Sequence, residues 1–241
     1  MNRIGRATVM LALGGITARL LLNGGFGWFV QQRMRLPLWG ATIVLLVFGA
    51  YELWMGSRDE RRNPESTRWP VGPRVGWLMI LPLVVLISVA PTGLGAAAAG
   101  RVDAYTPENT TDAFEPLDTS DGPVEMRVFD FLDRALWDDE RSLDGVPVRL
   151  EGLVVNDDTV DDGFKLTRFM VSCCAADGIP LQVTLHGTGA PLDDDEWVVV
   201  DVIWRPPDVP YQEVEGDWAV EADVISLIVE DTPKDPYESP Y

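Results

Sequence analysis

The sequence predicts a helical membrane region followed by a small all-β barrel, OB-like, with five strands and one preceding helix. Three observations support this fold class. Three long apolar runs lie within the first 100 of the 241 residues, and five short strand-like runs lie within the last 100. The charge changes sign between them: residues 1–100 hold ten arginines against four acidic residues, and the rest holds nine basic against 34 acidic residues.

The apolar runs cover residues 7–30, 36–55 and 75–95. At about 1.5 Å per residue, about 20 helical residues cross a hydrocarbon core of about 30 Å. We therefore predict three spans in a membrane region of residues 1–100. A cleaved signal peptide is the alternative for the first run, but Arg19, the nearby glycines and the two later spans argue against it.

The arginines predict the orientation, because cytoplasmic flanks of membrane spans carry an excess of basic residues. Seven arginines flank the predicted spans on one side and two on the other. The seven are Arg3, Arg6, Arg58, Arg61, Arg62, Arg68 and Arg74, and the two are Arg33 and Arg35. This bias predicts a protein of the cell membrane with a cytoplasmic N-terminus and an extracytoplasmic C-terminal domain.

Arg19 interrupts the first span, where an arginine at the bilayer centre costs about 3 kcal/mol. Two explanations remain open: its side chain extends to the outer interface among the membrane lipids, or it contacts a partner protein. Five glycines nearby permit close helix packing, either with a partner or among the chain's own helices. They are Gly14, Gly15, Gly24, Gly25 and Gly27.

Residues 93–100 are small and flexible in composition, and residues 101–122 are rich in Thr, Asp and Pro, which predicts a flexible linker. The soluble domain then covers residues 123–241. Apolar residues at helical spacing predict a helix over 123–137, with Asp121 as its cap. Five strand-like runs follow, at 146–155, 164–174, 181–186, 197–205 and 218–229. They favour a five-stranded OB-like barrel, with an open meander or sandwich as the alternative.

The acidity of the C-terminal domain bears on its partners. Residues 101–241 carry a net charge of −25, from nine basic and 34 acidic residues. Such a surface repels phosphates instead of neutralising them, so no nucleic-acid partner is expected.

Both cysteines of the chain, Cys173 and Cys174, are adjacent at the end of the second strand-like run. Successive side chains of a strand point to opposite faces, so the two thiols share a ligand only if the strand ends or bulges there. The following residues 175–178 are a turn signal, in which Asp177-Gly178 suits the positive φ values of tight hairpins. We therefore expect both thiols and the Asp177 carboxylate to converge at a hairpin tip.

These three residues are the candidate metal ligands, with zinc as the candidate metal. Zinc usually takes four ligands, and the fourth is expected from the acidic loop 193–196 or from a partner. His186, the single histidine, is expected to be a surface residue because it ends the next strand. Two other interpretations of the cysteine pair stay open: packing of one thiol in the core, and thiol redox chemistry.

Paired motifs in this domain resemble the YcgQ-like family, whose members are described as permease subunits. The similar residues are Arg168-Phe169, Cys173-Cys174 and Asp177, followed by Pro236-Tyr237 and Pro240-Tyr241 at the end. Membrane helices, a linker and an OB-like domain extend the resemblance to nearly the whole chain. In this family Arg168, Phe169, Tyr237 and Tyr241 are motif positions.

The resemblance implies a membrane-anchored accessory subunit that works with a polytopic membrane permease in metal-ion or small-solute transport. A link to zinc homeostasis has been proposed for some members. The alternative is an extracytoplasmic thiol redox enzyme or sensor that uses the cysteine pair. The sequence contains no complete catalytic constellation, so we do not predict an enzyme.

Overall fold

The computed structural model describes residues 3–62, 93–107, 114–187, 189, 191–207, 211 and 219–239. The chain divides into two compact units, residues 1–93 and residues 94–241. The third predicted span, over 75–95, falls almost entirely outside the described residues, and so does Tyr241.

The first unit contains two long helices, α1 (Arg3–Leu22) and α2 (Arg35–Arg62), joined through two short 3-10 turns. Both helices are long and apolar enough to cross a membrane, by length and composition. Helix α1 ends eight residues before the predicted end of the first span, because Gly24 adopts a left-handed φ of 74° that a helix cannot continue.

Small residues let α1 and α2 pack closely. A Cβ at Gly14 would lie 2.8 Å from Leu46, and one at Gly49 would lie 2.9 Å from Leu11. The Thr42 hydroxyl donates to the Thr17 hydroxyl at 3.1 Å between the same helices. Gly14 therefore serves packing between the chain's own helices, which was one of the two expectations for the glycines.

The second unit contains the predicted barrel. Its strands are β2 (Pro147–Val155), β3 (Gly163–Met170), β4 (Ile179–His186), β5 (Trp197–Arg205) and β6 (Glu221–Glu230). They close in the order β2-β3-β4-β6-β5-β2, with β4 and β6 parallel and the other neighbours antiparallel. The closed barrel confirms the predicted OB-like fold and excludes the open meander.

Alternation of apolar and polar residues builds the barrel core. In β2 the side chains of Val148 and Leu150 are completely buried, whereas the intervening Arg149 pairs with Asp201 of β5 at 2.7 Å. The other barrel strands contribute fully buried side chains to the same core. They include Phe164, Leu166, Leu181, Val183, Leu185, Val198, Val200, Val202 and Ala222.

The helix before the barrel, α4 (Val128–Trp137), covers this core with one apolar face. It begins later than predicted, because Val124–Glu125 form a short strand, β1, that pairs in parallel with β2. The cap assigned to Asp121 is wrong, since the N-cap position is Arg127 and makes no side-chain cap hydrogen bond. The amides of Val128 and Phe129, which lack an acceptor within the helix, donate to the Glu238 carboxylate instead.

The chain enters the second unit earlier than expected. Helix α3 (Ala96–Ala99) buries Ala96 and Ala99 in a second apolar cluster on the barrel. Strand β7 (Tyr237–Glu238) pairs in parallel with the end of β3 and contributes Tyr237 to the same cluster. The unit boundary therefore lies between Gly93 and Leu94, ahead of the predicted linker.

Gly163 opens β3 opposite His186, and a Cβ at this position would overlap the backbone carbonyl oxygen of Leu185. Backbone cannot move away as a flexible side chain can. We expect Gly163→Ala to destabilise the barrel by about 1–3 kcal/mol, measured by thermal unfolding of the full chain in detergent. Gly100→Ala is the matched control, since its Cβ would approach the nearest atom only to 3.9 Å. Equal melting temperatures for the two variants would contradict the close approach.

Candidate metal centre

The two cysteines lie in the loop between β3 and β4, which we call the Cys loop (residues 171–178). Strand pairing stops at Met170 and Ile179, so the loop is free of the alternation that a strand imposes. Cys173 is exposed and Cys174 is partly exposed. Neither thiol therefore belongs to the buried core, contrary to the interpretation in which one of them packs inward.

The Cys loop brings together the three candidate ligands. The two sulfur atoms lie 3.7 Å apart. One carboxylate oxygen of Asp177 completes a group whose ligand atoms all lie within 4.8 Å of one another. The adjacent thiols thus lie close together, because β3 ends at Met170, four residues before the end of the predicted run 164–174.

Asp177 closes the loop on itself. Its two carboxylate oxygens accept hydrogen bonds from the backbone amides of Ser172 at 3.0 Å and Cys173 at 2.9 Å. Burial alone would raise the pKa of Asp177, but hydrogen bonds from the Cys173 thiol and from the loop amides outweigh it and lower the pKa. Asp177 is therefore a carboxylate at neutral pH and supplies a fixed negative charge beside the thiols.

The Asp177 carboxylate also sets the protonation of the Cys173 thiol. The thiol donates to Asp177, and the hydrogen bond, together with the adjacent Cys174, raises the pKa of Cys173 to about 11. A thiol with this pKa is protonated at neutral pH and is a weak nucleophile. A metal ion bound here must displace the proton from Cys173.

The turn that positions these groups differs from the predicted one. Residues Ala175–Asp177 form a 3-10 turn, and Gly178 has a φ of −69°, so the Asp-Gly pair does not adopt positive φ. Gly178 instead lies close to a side chain from another segment of the unit. A Cβ at this position would overlap the Cδ1 atom of Leu94, which lies against the end of the loop.

The other candidate ligands lie elsewhere. His186 ends β4 at the opposite end from the Cys loop, about 23 Å away along an eight-residue strand. Its Nε2 atom lies 3.2 Å from Glu221. In the acidic loop 193–196, Asp194 accepts from Asn156 and Asp195 accepts from the Ala96 amide. Among the described residues, none of these groups joins the Cys loop cluster.

Arg168 is nearly buried, and its side chain connects several elements of the barrel. Its guanidinium lies over the Trp197 ring at 5.1 Å and donates to the Asp235 carbonyl at 3.1 Å. Two carboxylates lie close, Glu151 at 3.8 Å and Glu238 at 3.9 Å. Arg168 therefore holds the C-terminal segment against β3.

Phe169 and Tyr237, the next two motif residues, are register partners in the β3–β7 pair. Both are buried in the apolar cluster that receives α3. The Tyr237 hydroxyl oxygen accepts a hydrogen bond from the Leu94 amide at 3.3 Å. The two motifs thus meet at the place where residues 94–99 pack on the barrel.

The sequence pattern did not single out Glu238, whose side chain and backbone both accept hydrogen bonds from other elements. Its carboxylate accepts from the amides of Val128 at 2.9 Å and Phe129 at 3.0 Å, and its backbone carbonyl accepts from Val171 at 2.9 Å. Burial raises the pKa of Glu238, while the two amides and Arg168 oppose that increase. The only sequence signal was its position next to Tyr237.

Residues 132–237 match the DUF1980 C-terminal domain. The DUF1980 C-terminal domain thus begins within α4, includes all five barrel strands and the Cys loop, and ends at Tyr237. No curated protein and no solved structure shows a significant match to the chain.

Proposed function

We propose that the chain is a membrane-anchored accessory subunit whose barrel binds a thiophilic divalent cation, with Zn²⁺ as the leading candidate, and works with a polytopic permease. The observation that supports the cation is the convergence of Cys173, Cys174 and Asp177 in the Cys loop. The two apolar helices α1 and α2 support the anchor.

The distances in the loop fit zinc. Two Zn–S bonds of about 2.3 Å at a tetrahedral angle place their sulfur atoms about 3.8 Å apart. The observed separation of 3.7 Å is nearly the same, so the thiols need little rearrangement to share one ion. A carboxylate is an acceptable third ligand for zinc.

Three ligands leave one position of a tetrahedral ion for another group. Structural zinc sites are closed by four protein ligands, whereas sites that exchange a ligand keep a position open. The exposure of Cys173 gives a fourth ligand access from solvent or from another protein. This incomplete set suits a subunit that receives an ion and transfers it, and the net charge of −25 over residues 101–241 raises the local cation concentration.

The redox alternative has less support. A redox-active cysteine is usually a thiolate stabilised by a positive environment. Cys173 instead lies beside the Asp177 carboxylate, and its pKa is raised to about 11. At neutral pH the thiolate fraction is therefore small, which argues against thiol exchange as the role of this pair.

The proposed function is tested by purifying the full chain from its native membrane, with copurifying proteins and bound metals identified in one preparation. We expect a polytopic permease and about one zinc ion per chain. Recovery of the chain without a membrane protein would contradict the accessory role. Recovery without metal, from buffers free of chelator, would contradict the cation.

Arg19 gives a separate prediction about the partner. Its side chain is exposed on the described part of the first unit, while the opposite side of α1 packs on α2. We propose that Arg19 contacts the permease, and we expect Arg19→Leu to reduce permease recovery several-fold without changing the amount of chain in the membrane. Unchanged recovery would show that Arg19 reaches the lipid interface instead.

A further inference from the structure

The position of the Cys loop relative to the membrane follows from the residue that begins the barrel unit. Leu94 is the first residue of this unit and the next-to-last residue of the third predicted span, over 75–95. Its side chain lies against Gly178, the last residue of the Cys loop. The chain therefore reaches the barrel at the loop that carries the metal ligands.

The entry point is fixed by several contacts beyond Leu94. The Leu94 amide donates to the Tyr237 hydroxyl oxygen at 3.3 Å, and the Ala96 amide donates to Asp195 at 2.5 Å. Ala96 and Ala99 are buried against the barrel. Residues 94–99 are therefore held against the barrel, and only the residues between the end of the predicted span and Leu94 can separate the two.

Chain length converts this contact into a limit on distance. An extended chain covers at most about 3.3–3.6 Å per residue, and the headgroup layer on each side of the hydrocarbon core is about 5–8 Å thick. If the predicted span ends as early as Pro91, the three residues to Leu94 cover at most about 11 Å. The loop end that touches Leu94 then lies at, or immediately above, the lipid headgroups.

We propose that the Cys loop faces the membrane surface, so that the cation is bound at the level of the lipid headgroups. This inference rests on the proposed function, in which the barrel follows a membrane span and binds a cation. The opposite end of the barrel, with His186 and the loop 156–162, then points away from the bilayer, because β3 and β4 extend between the two ends. An ion held at the loop is close to the membrane-embedded partner that would receive it.

The test uses the two native cysteines and a matched control. In the full chain, Cys174→Ser leaves Cys173 as the single site for a thiol-reactive fluorophore. The control carries Cys173→Ser, Cys174→Ser and Asp158→Cys, which places the same fluorophore on an exposed residue of the loop 156–162. Both proteins are reconstituted in phosphatidylcholine vesicles that contain a lipid with a nitroxide on its headgroup, which quenches over about 10 Å.

We expect at least threefold stronger quenching at Cys173 than at Asp158→Cys, with melting temperatures equal to that of the wild type. Equally weak quenching at both positions, or stronger quenching at the control, would overturn the inference. Zinc binding is measured in parallel on the unlabelled wild type in the same vesicles. If the protein binds zinc but quenching at Cys173 is weak, the proposed orientation is overturned and the proposed cation role stands. If quenching at Cys173 is strong but the protein does not bind zinc, the orientation is supported and the cation role is overturned.

Discussion

Replacing either cysteine with serine should weaken Zn²⁺ binding by at least about 100-fold, since even outer-shell changes around a metal cost about 10–100-fold. Serine keeps the approximate size of cysteine but is a poor zinc ligand. Because Cys173 is exposed and Cys174 is partly exposed, the free energy of unfolding should change by no more than about 0.5 kcal/mol in either variant. The measurement is a zinc titration of the full chain in detergent against a competing chelator, with thermal unfolding alongside.

Asp177→Asn should weaken binding by about 10–100-fold, because it removes the charge that faces the ion. His186→Gln is the control and should bind zinc like the wild type, since His186 lies at the other end of β4. Wild-type zinc affinity in both serine variants would end the ligand hypothesis. Loss of affinity in His186→Gln would show that the ion is bound elsewhere.

The same titration should depend on pH in a defined direction. The pKa of Cys173 is raised to about 11, so the thiol is protonated throughout the physiological range and must release its proton when the ion binds. Zinc affinity should therefore rise with pH, by about tenfold per pH unit for this proton alone. An affinity that does not change between pH 6 and pH 8 would contradict thiolate ligation.

The largest loss of stability is expected for Glu238→Ala, about 3–5 kcal/mol. The substitution leaves the amides of Val128 and Phe129 without their acceptor at the start of α4. It also takes one of two neighbouring carboxylates from Arg168. For a unit of this size the melting temperature should fall by roughly 10 °C or more. The measurement is thermal unfolding of the full chain in detergent, monitored by tryptophan fluorescence.

Two variants separate the role of Glu238 from a general effect of charge. Glu230→Ala removes an exposed carboxylate at the end of β6 and should change stability by no more than about 0.5 kcal/mol. Glu238→Gln keeps one acceptor oxygen for the α4 amides. It also removes a carboxylate whose pKa is raised by burial. The loss in free energy of unfolding should therefore be less than half of the loss for Glu238→Ala. Equal losses for Glu238→Ala and Glu230→Ala would show that the carboxylate does not cap α4.

Local patterns predicted the five strands of the barrel and the helix before them. The strands were found because their apolar residues alternate, and β2 and β5 show that alternation in their burial. The predicted ends of the elements were less accurate where a helix-like sequence could also pair with a strand. Helix α4 begins at Val128 and not near 123, because residues 124–125 pair with β2 as a strand.

For the candidate ligands, too, the sequence predicted one feature and the tertiary structure decided another. Their proximity was predictable, since Cys173, Cys174 and Asp177 lie within five consecutive residues at the end of a strand. The conformation was not, because Asp-Gly favours several turns and the carboxylate selected the one in which it accepts the Ser172 and Cys173 amides. Leu94 against Gly178 adds a constraint from 84 residues away in the sequence.

The sequence by itself determined the apolar helices, the acidic strand-rich domain and the cysteine pair, because hydrophobic period, charge and spacing are properties of neighbouring residues. Only the tertiary structure decided what holds these parts together. Glu238 reaches Val128 across 110 positions, and Tyr237 reaches Leu94 across 143. Such contacts form only when the barrel closes and brings buried polar groups within hydrogen-bond distance, and no local pattern specifies which distant amide a carboxylate will satisfy.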